Sequence, residues 1–237
     1  MKTTKTQLQI IDSCESTNSA LDPSAPHGTA LMARCQSAGR GQRGNSWESE
    51  PGKNITLSLM LRPDGLPAAR QFELSEAVSL GVADLLDNLG IGDVCVKWPN
   101  DIYVADRKIA GILIENTVSG PLISRAVAGI GLNVNQAEFR SDAPNPVSLR
   151  QLTGTDHPVD QLAADLLDCI MNRLGRDNHH DYCCRLWRGQ GEWPWEVAAT
   201  GETFTAAIDD VLPDGRLRLS GREPFAFKEV RPVGFKN

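Results

Sequence analysis

Closely spaced apolar runs of strand length fill the middle of the chain, and they limit most strongly what it can fold into. Four such runs lie at 94–98, 102–104, 108–115 and 124–134. Since proline, glycine and polar turns bound them, they are typical of contiguous strands of one sheet. Earlier runs of the same kind lie at 8–11, 30–35 and 55–61. The pattern therefore predicts a large β-sheet at the centre of the fold.

Segments in which apolar residues recur at helical spacing lie between these runs and after them. This spacing recurs over 72–89, and Gly90 follows as a stop; it recurs again over 159–174, which Pro158 opens. A third, shorter helix is predicted over 181–187. Amphipathic helices of this kind pack one face on a sheet. The expected fold class is α+β, with a mixed β-sheet packed by helices.

The C-terminal part has a different pattern. After the Gly189-Gln190-Gly191 segment, short β segments at 211–212 and 217–219 flank the turn Pro213-Asp214-Gly215. The sequence therefore predicts two domains, an α+β domain at residues 1–188 and a small β-barrel at 189–237.

Composition excludes several classes of partner. The chain has 24 basic and 30 acidic residues, and its net charge of −6 has the wrong sign for a nucleic-acid partner. It contains no signal-peptide core and no apolar run of about 18 residues, so we expect no membrane partner and a cytoplasmic location. Its six cysteines show no CxxC spacing and are expected to be reduced.

A polar loop at 36–54 is long for a compact domain, which favours a binding role. Glycines and arginines alternate in its segment Ala38-Gly39-Arg40-Gly41-Gln42-Arg43-Gly44-Asn45. Backbone N–H groups in such a segment can approach a ligand, and guanidinium groups match a phosphate or a carboxylate. The alternative is a flexible surface loop with solvated arginines. The segment is neither a Walker A motif nor a dinucleotide-binding fingerprint.

A second cluster ends an apolar strand with the residues Lys97-Trp98-Pro99-Asn100-Asp101. A cation, an amide and a carboxylate this close together can contact a phosphate and Mg²⁺ at once. A plain Pro-Asn-Asp turn is the alternative. Farther on, Lys108 enters a strand whose small neighbours, Ala110 and Gly111, indicate that something approaches the backbone closely.

Short polar side chains form a third cluster, Ser16-Thr17-Asn18, after the first strand. It is either a helix N-cap or a hydrogen-bonding triplet for a small polar ligand, and Gln36 could serve the same pocket. The adjacent pairs His179-His180 and Cys183-Cys184 lack the usual spacing of metal ligands, and they favour a surface helix.

Taken in order, five segments of the chain resemble those of the biotin protein ligases. They are 14–18, 38–44, 97–101, 107–115 and 129–135. Each is weak alone, but the order and spacing of all five are specific, and the resemblance spans most of the chain. It implies the catalytic fold of biotin and lipoate ligases, which is like that of class II aminoacyl-tRNA synthetases, followed by a small SH3-like β-barrel. It also implies a short form without an N-terminal DNA-binding domain.

The reaction that this resemblance implies is an ATP-dependent ligation that forms a carbon–nitrogen bond. Biotin and ATP, with Mg²⁺, give biotinyl-5′-AMP, and the biotinyl group then passes to one lysine of a biotin carboxyl carrier protein, such as that of acetyl-CoA carboxylase. The family resemblance leaves open whether the chain is a monomer or a homodimer.

Site residues follow from the same resemblance. Catalytic roles are expected for Lys108, Arg40, Lys97 and Asp101, with Asp101 as a candidate Mg²⁺ contact. Biotin binding is expected at Ser16, Thr17, Asn18, Gln36, Gly39, Arg40, Gly41, Gln42, Lys108, Gly111 and Ile112. Nucleotide binding is expected at Arg40, Arg43, Trp47, Asn100, Asp101 and Asn133.

Two details qualify these expectations. Gln42 stands where many members of the family have arginine, so one cation is missing from the expected adenylate site. Trp47 is expected to pin the 36–54 loop when it closes and excludes water.

Two alternative functions stay open at this point. One is a lipoate or octanoate ligase or transferase of the same superfamily; the other is a non-catalytic sensor of biotin or its adenylate, which would tolerate loss of Lys108.

Overall fold

The computed structural model describes residues 6–140 and 145–234 and, at Arg43, the backbone alone. Seven strands form one mixed sheet in the order β1-β2-β3-β7-β6-β5-β4. Their bounds are β1 (Gln7–Cys14), β2 (Thr29–Gln36), β3 (Ile55–Leu61), β4 (Val94–Lys97), β5 (Asp101–Val104), β6 (Arg107–Ser119) and β7 (Leu122–Leu132). β1 and β2 are parallel and the other neighbours are antiparallel. The predicted mixed sheet is confirmed, and the four middle runs are neighbouring strands in it.

Five helices accompany the sheet in the described residues. They are α1 (Thr17–Ala20), α2 (Phe72–Asn88), α3 (Leu149–Thr153), α4 (Val159–Arg173) and α5 (His179–Cys184). Both long helices lie within a residue or so of their predicted bounds. None of the helices in 6–140 and 145–234 is long and apolar enough to cross a membrane.

Helix α5 begins and ends earlier than the helix predicted over 181–187. A tertiary contact explains why it ends at Cys184. Val96 of β4 donates its N–H to the Arg185 carbonyl at 2.8 Å, and Trp187 N–H donates to the Val96 carbonyl at 2.8 Å. Residues after α5 thus pair with the edge of the sheet instead of continuing the helix. Apolar spacing alone does not reveal such pairing.

The two faces of the large sheet are covered differently. Ile55, Leu57 and Leu59 of β3 join the main core, on the side where α2 and α4 pack. On the opposite face Met60 belongs to a small cluster near α1, while Thr56 and Ser58 are polar. This second face is therefore only partly filled with apolar side chains, and it is where a ligand can approach the strands.

A second sheet contains the strands β8 (Glu192–Val197), β9 (Thr203–Val211), β10 (Leu217–Leu219) and β11 (Val230–Pro232). They are antiparallel in the order β10-β9-β8-β11. This sheet fits the small C-terminal β-domain expected from the sequence, and the boundary between residues 188 and 189 stays a prediction.

Helices α2 and α4 approach closely at Gly81. A Cβ atom built on Gly81 would lie 2.6 Å from Cα of Ile170 and 2.9 Å from its backbone N. Since backbone atoms of a packed helix cannot move aside alone, we expect Gly81→Ala to lower the free energy of unfolding by about 1–3 kcal/mol, despite the better helix propensity of alanine. Urea-induced unfolding measures the change.

Ser79→Ala on the same helix is the matched control. The Ser79 hydroxyl is buried and has no hydrogen-bond partner among the described residues, so its removal should be neutral or stabilising. An unchanged urea midpoint for Gly81→Ala would contradict this helix packing.

Candidate active site

The floor of the candidate site is a row of residues across five strands. Thr56 pairs with Gly131, and Gly131 pairs with Gly111. Gly111 pairs with Asp101, and Asp101 pairs with Lys97. Paired residues on neighbouring strands point to the same side of a sheet, here the face opposite α2 and α4. Because the two central positions have no side chain, the row forms a groove with a charged end.

Above this row lies a cavity of about 520 Å³, a size typical of small-ligand sites. Among its described lining residues, four side chains are cationic, Arg40, Lys97, Lys108 and Lys228, and Asp101 is the one carboxylate. The cavity is therefore positive although the whole chain carries −6. This charge suits a ligand with more than one anionic group.

One wall of the cavity is a connected set of short polar side chains. Oε1 of Gln36 accepts hydrogen bonds from the Thr17 backbone N at 2.7 Å and from the Thr17 hydroxyl at 3.2 Å. Oγ of Ser58 lies 2.7 Å from Thr17 Oγ1 and 2.5 Å from Asn18 Oδ1. These contacts orient the Gln36 amide and leave its NH₂ group as the donor for a ligand. Ser16 occupies the N-cap position of α1, yet its side chain makes no capping hydrogen bond.

The charged end of the floor holds two lysines and one carboxylate. Nζ of Lys108 lies 2.7 Å from Oδ1 of Asp101, and both side chains are largely buried. Lys97 is also buried, at 8% exposure. Burial lowers the pKa of the Lys97 ammonium group, the nearby Lys108 and Arg188 charges lower it further, and Asp101 opposes them. Asp101 is thus paired with Lys108 and is also close enough to favour the charged form of Lys97.

The glycine-arginine loop folds back onto the floor through Trp47. The backbone N of Trp47 donates to the Gly39 carbonyl at 2.9 Å. A Cβ atom on Gly111 would lie 2.9 Å from Cζ3 of the Trp47 ring, and a Cβ atom on Gly131 would overlap that ring. Nζ of Lys108 is 5.7 Å from the ring centroid. The loop and Lys108 therefore line one cavity, and the two glycines make the space that the indole occupies.

Arg40 is held by a carboxylate that the sequence analysis did not single out. One guanidinium nitrogen donates to Glu115 Oε1 at 2.7 Å, and another donates to Ser19 Oγ at 3.2 Å. Oε2 of Glu115 accepts from the Asn18 amide at 2.8 Å. Glu115 thus joins the loop to the polar wall. It lies within the segment 107–115, but a carboxylate near the end of a strand gives no distinct sequence signal.

Most of the residues expected from the sequence line this cavity. They are Ser16, Thr17, Asn18, Gln36, Arg40, Gly41, Gln42, Trp47, Lys97, Asn100, Asp101, Lys108, Gly111 and Ile112. The side chain of Ile112 alternates with Gly111 and belongs to the buried core, so Ile112 borders the cavity through its main chain. The Asn100 amide donates to the Ile112 carbonyl at 2.6 Å.

Three expected residues are placed differently. Asn133 is buried, and its amide donates to the Val147 carbonyl at 3.0 Å rather than lining the cavity. Gly39 supports the loop through Trp47 and is not a lining residue. The side chain of Arg43 lies outside the described part of the structure. The ligand contacts expected of these three residues stay predictions.

The second sheet closes the far side of the cavity, which local sequence patterns did not indicate. The lining residues are Trp195, Ile208, Val230 and Pro232 of this sheet, with Phe227 and Lys228 of the segment before β11. Trp98 connects the two parts, because its Nε1 donates to the Gly215 carbonyl at 3.0 Å and its ring lies 6.0 Å from that of Phe227. These contacts join residues more than a hundred positions apart, so no short motif encodes them.

Comparison with known proteins agrees with this geometry. Residues 10–133 match the biotin/lipoate A/B protein ligase family. The biotin--[acetyl-CoA-carboxylase] ligase of Paracoccus denitrificans is 36% identical over 176 residues, which are 71% of this chain and 70% of that protein. The bifunctional ligase/repressor BirA of Escherichia coli is 44% identical over 118 residues, and the match covers 50% of this chain but only 36% of BirA.

A solved structure of similar fold is the biotin protein ligase from Aquifex aeolicus in complex with biotin and ATP. Its TM-score is 0.77 at 22% identity, and the match covers 95% of this chain and 99% of that one. At this identity the likeness shows the fold alone, including the second sheet. The family match and the Paracoccus relative show more: this chain belongs to the biotin/lipoate A/B protein ligase family.

Proposed function

We propose that this chain is an ATP-dependent biotin protein ligase that acts in the cytoplasm. It converts biotin and ATP into biotinyl-5′-AMP and passes the biotinyl group to a lysine of a biotin carboxyl carrier protein. One observation carries the proposal: a single cavity joins a hydrogen-bonded polar wall, the lysines Lys97 and Lys108, and a glycine-arginine loop. Such a cavity can hold a small neutral ring, a carboxylate and a phosphate side by side.

In the first step an oxygen of the biotin carboxylate attacks the α-phosphorus of ATP. The bond from that phosphorus to the bridging oxygen of the β-phosphate breaks, and pyrophosphate leaves. Both reactants are anionic and repel each other, so cations must hold them in line. Lys108 supplies the charge next to both reacting groups, since its Nζ lies over the central floor and is oriented by Asp101 at 2.7 Å. Lys97 stabilises the phosphates from deeper in the cavity.

Mg²⁺ fits this end of the cavity as a companion of ATP. Asp101 is the one carboxylate among the described lining residues, and Mg²⁺ usually needs one or two protein carboxylates together with substrate phosphates. Asp101 would hold the ion, which neutralises phosphate charge when bound.

In the second step the neutral amine of the carrier lysine attacks the carbonyl carbon of the mixed anhydride. An amide bond forms, the bond from the carbonyl carbon to the phosphate oxygen breaks, AMP leaves, and the amine loses a proton. The anhydride must meet this amine before it meets water. Trp47 and the loop that carries it cover the floor at Gly111 and Gly131, so the chain has its own means of excluding water.

The polar wall supports biotin over lipoate or octanoate. Thr17, Gln36 and Ser58 are mutually oriented by short hydrogen bonds, and such groups match a ring with fixed donors and acceptors, such as a cyclic urea. An acyl chain without those groups would leave them buried and unpaired, at a cost of about 1–3 kcal/mol each. The relatives matched over most of their length are also named as biotin ligases.

The direct test of this assignment is pyrophosphate release from ATP. We expect release that requires biotin and Mg²⁺ and does not occur with lipoate or octanoate. Release driven by either fatty acid would reassign the substrate. Tight binding of biotin without any release would favour a non-catalytic sensor.

Gln36→Ala is expected to raise the KM for biotin about 10- to 100-fold and to change kcat much less. The variant removes the amide that Thr17 orients, so the ligand loses a donor and the buried Thr17 N–H and hydroxyl lose their acceptor. Steady-state kinetics with biotin as the varied substrate measure the effect. Gln9→Ala, at an exposed position of β1, is the matched control, and an equal KM for the two variants would remove Gln36 from the biotin site.

A further inference from the structure

A second cluster of metal-binding side chains lies outside the cavity, between α5 and the second sheet. His179 and Cys183 are four residues apart on one face of α5, and both side chains meet Asp210 of β9. Nε2 of His179 lies 2.9 Å from Oδ1 of Asp210 and 3.6 Å from Sγ of Cys183. That Sγ lies 3.9 Å from the same Oδ1. Three different donor atoms therefore converge from two elements.

These separations match the edges of a tetrahedral metal site. Zn²⁺ bonds of about 2.0–2.3 Å place neighbouring donor atoms roughly 3.3–3.6 Å apart. The observed distances of 2.9, 3.6 and 3.9 Å bracket this range. Movements of a few tenths of an ångström in partly exposed side chains would complete the geometry, and the open side leaves a fourth position for water.

Glu76 of α2 gives independent support through the other ring nitrogen. Its buried carboxylate, 4% exposed, lies with Oε1 2.8 Å from Nδ1 of His179. A carboxylate on the far nitrogen is the usual companion of a metal-binding histidine, because it holds the proton on Nδ1 and directs the lone pair of Nε2 to the metal.

The sulfur of Cys183 lies 3.6 Å from Nε2 of His179 and adds a softer donor to the ring nitrogen and the carboxylate oxygen. A donor set of nitrogen, sulfur and oxygen is typical of Zn²⁺ and similar ions.

We propose that His179, Cys183 and Asp210 bind one Zn²⁺ or a similar divalent transition-metal ion, with Glu76 as the positioning residue of His179. The ion links α5 to β9 and so joins the helical layer of the large sheet to the second sheet. Two further contacts hold the Asp210 carboxylate in place for this role. Its Oδ2 pairs with Arg218 at 2.9 Å, and its Oδ1 accepts from the Val211 N–H at 2.9 Å. The sequence predicted only a surface helix here, because the third ligand lies 27 positions beyond Cys183.

Cobalt spectroscopy of the full-length chain tests the proposal, and it is independent of the ligase reaction. The chain is stripped of metal under reducing conditions and titrated with Co²⁺. We expect one equivalent to produce a thiolate-to-cobalt charge-transfer band and the visible bands of tetrahedral Co²⁺, and one equivalent of Zn²⁺ to abolish both.

The chain contains its own matched control. His180 and Cys184 have the same spacing on the neighbouring face of α5, with Sγ 3.6 Å from Nε2, but no third ligand joins them among the described residues. Cys183→Ser should abolish the charge-transfer band, whereas Cys184→Ser should leave it unchanged. Loss of the band in Cys184→Ser alone would move the thiolate ligand to Cys184, and no band in the wild-type chain would mean that these side chains are held by hydrogen bonds without a metal. Either result would overturn the proposal.

Zn²⁺ affinity and thermal stability test the same site if a cysteine variant folds poorly. Glu76→Gln keeps the shape of the side chain and should weaken Zn²⁺ binding about 10- to 100-fold in competition with a chromogenic chelator. Zn²⁺ should also raise the thermal midpoint of the wild-type chain and of Cys184→Ser but not that of Cys183→Ser. Equal shifts in all three proteins would contradict a site at Cys183.

Discussion

Lys108→Ala is expected to slow biotin-dependent pyrophosphate release by about a thousandfold, or roughly 4 kcal/mol of transition-state stabilisation. The reason is that its Nζ lies beside Asp101 on the cavity floor, where a carboxylate and a phosphate must approach each other. Single-turnover measurements with saturating biotin and ATP separate this effect from weaker binding.

Two further variants make the test of Lys108 specific. Arg107→Ala changes the exposed preceding residue and should leave the rate unchanged. Loss of Lys108 also leaves Asp101 without its partner. Lys108→Ala combined with Asp101→Asn is therefore compared with Asp101→Asn alone, because both lack the proposed Mg²⁺ contact. A double variant as fast as Asp101→Asn would contradict a direct role for the ammonium group, as would normal turnover in Lys108→Ala.

Gly131→Val is expected to raise the KM for biotin at least about a hundredfold while the fold persists. Valine suits a β-strand, but its Cβ atom would overlap the Trp47 ring and evict it from the groove between Gly111 and Gly131. The loop would then lose its main apolar contact with the floor. Steady-state kinetics with biotin as the varied substrate measure the change, and the intrinsic fluorescence of the five tryptophans should shift in Gly131→Val but not when Trp47 is already replaced by alanine.

A double-mutant cycle identifies the cause of the Gly131→Val defect. If eviction of the indole is responsible, Trp47→Ala should show a similar defect and the double variant should be little worse than either. Strictly additive effects would contradict the packing of Trp47 on Gly131. Ser124→Val, at an exposed position of the same strand, is the control for adding a branched side chain to β7.

Local patterns predicted most of the large sheet because its strands are encoded locally. The run at 55–61 coincides with β3 (Ile55–Leu61), since every one of its residues is buried and polar turns flank it. In the C-terminal part the sequence predicted short β segments but gave no bounds for β8 and β11. β8 contains Pro194, and proline is uncommon inside a strand. Pairing with β9 and β11 holds β8 in the sheet, and such pairing is not visible in local sequence.

Residues of the candidate site were likewise predicted where a local motif contains them and missed where only distant contacts define them. Side chains that belong to compact motifs, such as Lys97, Asp101 and Lys108, were predicted from the sequence and are brought together by strand pairing. Ser58 and Glu115 were missed because each acts through partners far away in sequence, 40 positions for Ser58 and Asn18 and 97 for Asn18 and Glu115. A single sequence contains no sign of such pairs.

The most direct test of the central claim is the mass of a biotin carboxyl carrier domain after incubation with this protein, ATP, Mg²⁺ and biotin. We predict a gain of one biotinyl group on one lysine, dependent on ATP and absent with Lys108→Ala. A carrier domain of unchanged mass, in a reaction where a known biotin ligase modifies the same preparation, would contradict the assignment.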